Sequence, residues 1–244
     1  MKKILVLTGL VFWAVLGMSC GNNAEDTSAK NSFFNRESAQ QDQAPAEDTS
    51  VKDADGNSYR VVTIGNQTWM AENLKLRTSD SWCYDDNELM CGKYGRLYTW
   101  AAAMGYPSRY NHEQPDEQYP HKNVCPAGFR IPTESDFETL FAHVKDAGEL
   151  ISTTLWGNYN GSDKYGFNAL PAGFRMDQLY PDCEGEYSDC ITEYYNRLGE
   201  TAVFWTSTKV SNSSVKSVQL YMKSHNIWNG DKSYGYSVRC IKDE

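Results

Sequence analysis

The sequence predicts an α+β domain, on three observations. Two helical patterns stand between residues 96 and 144, and short strand-like runs separated by long loops follow them. No internal repeat is present, and helices and strands are segregated rather than alternating, which argues against a parallel α/β sheet. Aromatic content rises sharply beyond residue 50 and stays high, as a single core of modest size requires.

The first elements precede the domain. Lys2 and Lys3, the apolar run Ile4–Leu16 and the small residues before Cys20 have the layout of a cleavable export leader over residues 1–19. The run is too short to span a bilayer, which takes about 20 apolar residues. Cys20 is the expected acceptor of a lipid anchor, although Leu16 stands one place early and Met18 is unusual for a lipobox. Residues 20–50 are rich in Asn, Ala, Asp, Ser, Gln and Glu, with Phe33 and Phe34 the only large apolar residues. Such a stretch cannot bury enough surface to offset its ordering entropy, so it is expected to be a flexible lipid-anchored linker.

The domain is expected over residues 51–244. Asp55-Gly56-Asn57 is a turn signal, and Tyr59–Ile64 a β-branched strand. Gly65-Asn66-Gln67 turns the chain into a second strand, Thr68–Met70. Asp53 and Asp55 do not make a calcium loop, because Gly56 falls at the fourth place rather than the sixth. The first helix is expected over Arg96–Met104, closed by Gly105. The second starts at the N-cap Thr133, carries Glu134 and Asp136 in its first turn, and aligns Phe137, Leu140, Phe141 and Val144 on one face. Further strands are expected at Gly166–Leu170, Val203–Thr206, Val215–Met222 and Tyr236–Ile241.

Charge and cysteines narrow the functional classes. The net charge is −9, and losing Lys2 and Lys3 with the leader makes the mature chain −11. Lys and Arg form no stripe, so nucleic acid is excluded as a partner. After Cys20, six cysteines remain in an exported chain, and disulfides are expected. Six allow 15 connectivities. Spacing favours local staples Cys83–Cys91 and Cys183–Cys190, which leaves Cys125–Cys240. No C-x2-C pair occurs, and the four histidines complete no zinc pattern, so no metal and no cofactor are expected.

Several segments in order resemble one family. They are Asp55-Gly56-Asn57, Ile64 through Leu74, Tyr94 through Trp100, Cys125 through Thr133, Gly166 through Arg175, Phe204 through Thr208, and Ser237 through Cys240. Together they are similar to the Fibrobacter succinogenes major paralogous (FISUMP) domain of bacterial surface lipoproteins, over roughly residues 53–242. The resemblance implies a C-type-lectin-like domain with two helices, short antiparallel strands and long disulfide-stapled loops. It also implies pairing of the N- and C-terminal strands, a layout that a Cys125–Cys240 bridge suits. No settled activity comes with it.

Aromatics, acids and nucleophiles supply the candidate sites. Gln114-Pro115-Asp116 looks like the sugar-selecting triplet of calcium lectins, but it precedes the second helix instead of following it. Trp228-Asn229 with Asp231 looks like their second calcium segment, but Gly230 splits it. Aromatics in two Gly/Asn-rich stretches are better candidates: Trp156, Tyr159 and Tyr165 in one, Trp228, Asn229, Tyr234 and Tyr236 in the other. Rings on loops offer flat faces to sugar C–H groups while amides bind hydroxyls. The acidic, Tyr-rich stretch 180–195 reads as a stapled insertion suited to a protein partner. Ser213-x-x-Lys216, Asp85-Asp86 and His112-Glu113 lack companions for catalysis, so a non-enzymatic role is expected. The expected protein is thus a monomeric outer-membrane lipoprotein that binds a glycan or, alternatively, a protein in an envelope assembly.

Overall fold

A computed structural model describes residues 50–116, 122–176 and 195–243. The leader, Cys20, the linker up to residue 49, and the Cys183 and Cys190 staple lie outside these residues.

Strand β1 (Ser50–Lys52) leads into a closed turn. The Asp53 carboxylate accepts from the backbone of Asp55 and Asn57, from Asn57 Nδ2 and from the Tyr59 hydroxyl at 2.6 Å. Gly56 supplies the positive φ. Four donors saturate the carboxylate, so the Asp-rich segment is a turn lock. β2 (Ser58–Ile64) and β3 (Gln67–Met70) then form the expected hairpin.

After β4 (Ser81–Trp82) comes a helix that the hydrophobic pattern does not reveal, α1 (Glu88–Tyr94). Only Cys91 and Tyr94 are buried on it, and Leu89 is 81% exposed, so no apolar stripe marks it. Asn87 caps it, and the Cys83–Cys91 disulfide ties its middle to the preceding turn. The next helix is shorter than expected. Leu97–Tyr98 form β5, paired with β4, and Thr99 then caps α2 (Trp100–Met104) by accepting from Ala102 N–H. Gly105 closes it in the left-handed conformation, as expected.

β6 (Phe129–Arg130) precedes α3 (Glu134–His143), which matches its sequence signals closely. Thr133 and Asp136 form a reciprocal capping box, and the Arg130 guanidinium grips both Asp136 oxygens at 2.6 and 3.0 Å. Burial raises the Asp136 carboxyl, but the bonds from Arg130 and Thr133 outweigh it and hold the group below the usual range. Residues 166–170 do not form the expected strand. Gly166 and Asn168 both have positive φ, and only Ala169 makes a bridge, to Ile151.

The second half holds β7 (Phe174–Arg175), β8 (Tyr195–Asn196), β9 (Ala202–Lys209), β10 (Ser214–Tyr221), β11 (Ser224–Asp231), β12 (Tyr236–Ser237) and β13 (Ile241–Lys242). Strand β11 corrects the expectation that Trp228 and Asn229 sit on a loop: polar residues on both faces hide its alternation. Tyr236–Ile241 is two short strands, not one, because the chain changes sheets at Val238-Arg239-Cys240. One sheet runs β1-β2-β3-β13-β6, the other β11-β10-β9-β12-β5-β4, and β7-β8 stand apart. The C-terminal segment thus belongs to both large sheets. Among the described residues, three α-helices with mostly antiparallel strands make the domain α+β.

Among the described residues three apolar clusters fill it, the smallest built on Tyr84, Tyr94, Leu97 and Ala172. Tyr59, Tyr98, Trp100, Trp205 and the Cys125–Cys240 disulfide belong to one. Trp69 packs against Phe137 and Phe167 in another, with ring centroids 5.1 and 5.6 Å apart.

Candidate functional site

Strand alternation builds the floor of the candidate site. Register pairs Ser217 with Trp228, Gln219 with Asn226 and Tyr221 with Ser224 across β10 and β11. Residues two apart in a strand share a face, so Gln219, Tyr221, Ser224, Asn226 and Trp228 line one side of this ribbon. Phe174 of β7 and the turn from Arg197 to Thr201 wall off a cleft of about 510 Å³ above them.

That turn is held rigidly. Arg197 and Gly199 adopt positive φ, Gly199 N–H donates to Pro171 O, and Gly157 N–H donates to Gly199 O. Arg197 and Glu200 pair at 2.8 Å across the exposed turn. The Gln219 amide nitrogen donates to Thr201 Oγ1 at 2.9 Å, while Thr201 Oγ1 donates to Leu220 O. The carboxamide is therefore oriented, and its Oε1 has no hydrogen bond from any described residue. Trp228 Nε1 and Ser217 Oγ, on opposed residues, are buried without a hydrogen-bond partner among the described residues. An orphaned indole N–H costs about 1–3 kcal/mol unless an acceptor reaches it.

A smaller cleft of about 150 Å³ adjoins this one, lined by Trp156, Asn158, Tyr159, Gly199, Glu200, Tyr221 and Met222. Glu200 and Tyr221 border both clefts. Tyr159, Trp156 and Trp228, distant in sequence, are thereby brought to one continuous surface. Trp156 is mainly core, 6% exposed with its Nε1 donating to Ala169 O.

Four expected residues fall elsewhere. Tyr165 packs edge-on against His143 and Tyr236 is buried against Trp205, with ring centroids 5.6 and 4.2 Å apart. Asn229 alternates to the opposite side of β11, across from Lys216. Tyr234 packs edge-on against Tyr236, with centroids 6.2 Å apart, and lines neither cleft. Phe174, Arg197, Glu200, Gln219, Tyr221 and Asn226 escaped the sequence reading. Tyr221, 46% exposed, ends a strand of mixed polar and apolar residues, so its place at the cleft follows from register alone.

The other candidates are bound into the framework. Asp231 accepts from Ser233 N–H and Oγ–H, and Lys216 reaches Glu134 at 3.5 Å. Cys83, Glu88 and Cys91 cluster within metal-ligand range, but the two sulfurs are joined to each other and are not thiolates. Burial lowers the His225 imidazole, which stacks on Phe141 at 3.8 Å, so the ring is neutral at pH 7. Stretch 180–194 lies outside the described residues. Its flanks are fixed: Tyr195 donates to Asp86 at 2.6 Å, and the Arg175 guanidinium lies over Trp82 at 4.0 Å.

No helix among the described residues is long and apolar enough to cross a membrane. The model of a family described as the Fibrobacter succinogenes major domain matches residues 62–242. No curated protein and no solved structure matches the chain.

Proposed function

The chain belongs to the Fibrobacter succinogenes major domain family, and from that premise we propose that it is a surface lipoprotein whose domain is a non-catalytic carbohydrate-binding module. The supporting observation is the cleft on β10 and β11, where Trp228 lines the wall together with Asn226 and the oriented Gln219. Trp228, Tyr221 and Phe174 offer apolar faces to sugar C–H groups. Gln219, Asn226, Ser224 and the Arg197–Glu200 pair offer donors and acceptors to hydroxyls.

A glycan and polysaccharide screen with the full chain, with calcium and with EDTA, identifies the ligand. Trp228→Ala and Tyr221→Ala are each expected to weaken binding about tenfold, equivalent to about 1.4 kcal/mol per ring. A double variant that binds as tightly as the native chain refutes the site. The anchor rests on Cys20 behind its leader. Cys20→Ala is expected to move the protein from the membrane fraction to the soluble one, and unchanged membrane retention contradicts lipidation.

A further inference from the structure

Glu200 borders a third cleft besides the two described above. This one has a volume of about 560 Å³, is lined by Tyr84, Asp85, Tyr195, Asn196 and Leu198, and meets the β10–β11 cleft along Arg197 and Glu200. The β10–β11 cleft meets the small cleft along Glu200 and Tyr221. The two outer clefts share Glu200 alone. The three therefore stand in a row, with the β10–β11 cleft in the middle.

The chemistry repeats along that row. Each cleft sets an aromatic ring with an asparagine: Tyr195 with Asn196, Trp228 with Asn226, and Tyr159 with Asn158. The ring offers an apolar face to sugar C–H groups, and the carboxamide both donates to and accepts from hydroxyls. A receptor that repeats suits a ligand that repeats. The middle cleft alone is longer than one sugar ring, since its floor runs along β11 from Ser224 to Trp228, about 14 Å of extended strand.

Charge narrows the ligand further. Asp85 and Glu200 are the carboxylates among the described lining residues. Two cations offset them: Arg197, paired with Glu200 at 2.8 Å, and Lys223, whose ammonium stands 6.0 Å from the Tyr159 ring centroid. The charges cancel, so the row holds no surplus that would draw in a polyanion.

We propose that the row binds a linear stretch of a neutral polysaccharide, three or more sugar units long, with at least one unit in each cleft. A single terminal sugar would fill only one of the three. The proposal deepens the carbohydrate reading above and rests on it.

Calorimetry of the full chain in mild detergent, with cello-, xylo-, malto- and manno-oligosaccharides of one to six units, tests it. For the sugar that binds, affinity is expected to rise about tenfold from the disaccharide to the tetrasaccharide and then to level off. Tyr159→Ala is expected to flatten that rise, whereas Trp228→Ala weakens the whole series. Oligogalacturonates of the same lengths are expected to bind about tenfold more weakly. A disaccharide that binds as tightly as the hexasaccharide overturns the row and leaves the carbohydrate reading intact. So does a Tyr159→Ala variant with native circular dichroism whose series rises as steeply as the native one. Equal binding of oligogalacturonates overturns the neutral class, and absence of binding by every sugar overturns the carbohydrate reading and the row together.

Discussion

Arg239→Lys is expected to cost about 3–5 kcal/mol of stability, the loss seen when a buried charge loses its partners. Arg239 has no exposed surface, and its guanidinium lies between the Phe167 and Phe204 rings at 4.6 and 5.4 Å. Nε and Nη2 donate to Asn73 Oδ1 at 3.2 and 2.6 Å, and Nη2 also donates to Asn168 O. Nη1 donates to Met70 O and Phe167 O. These acceptors come from segments far apart in sequence, so one planar fork joins β3, the 166–170 loop and the closing strand. A lysine ammonium is a point donor and cannot serve acceptors spread around that plane. Burial lowers the guanidinium's proton affinity while Glu72 and Asp163 support it, and the group remains charged at neutral pH. Arg239→Met tests which effect dominates. Were burying the charge the dominant cost, methionine would stabilise the fold; with four orphaned acceptors left behind, it is expected to destabilise it. Urea unfolding midpoints decide, and an unchanged midpoint for both variants refutes the pin.

Opening the Cys125–Cys240 disulfide should have an effect of similar size. It joins residues 115 apart in sequence, and a loop of that length contributes about 4–5 kcal/mol in the chain-entropy model. Cys83–Cys91 spans 8 residues and contributes about 2.5 kcal/mol in the same model. The double variant Cys125→Ala/Cys240→Ala is therefore expected to melt roughly 10–15 °C below the native protein, at about 2–4 °C per kcal/mol. Cys83→Ala/Cys91→Ala should fall by about half as much. Equal shifts in calorimetry would show that lost packing, not loop closure, sets the cost.

What the sequence revealed depended on how local the signal was. α3 was legible because its cap, its first-turn acid and its apolar stripe lie within residues 133–144. α1 was not, because it buries only two side chains and turns Leu89 to solvent. β11 stayed hidden because an exposed edge strand needs no apolar face, and its geometry depends on pairing with β10. The same limit applied to the cleft. Trp228 and Tyr159 could be picked out as aromatics. Gln219 and Tyr221 gained meaning only from their register with Asn226 and Ser224, and Glu200 only from a turn set by positive φ at Arg197 and Gly199. The segments carrying the family resemblance converge on framework contacts, Arg239 with Asn73 and Phe167 above all, and of their residues Phe174 alone lines the cleft.

Because residues 236–242 supply a strand to each large sheet, neither sheet is complete until that segment has arrived. A polypeptide delivered N-terminus first has no finished scaffold to close upon during its emergence, and contacts of such long range form slowly. The consequence is vectorial: the domain stays threadable until residues 236–242 are released and then locks in one late step. A chain cut before residue 236 would lose a strand from each large sheet, and with them the whole fold.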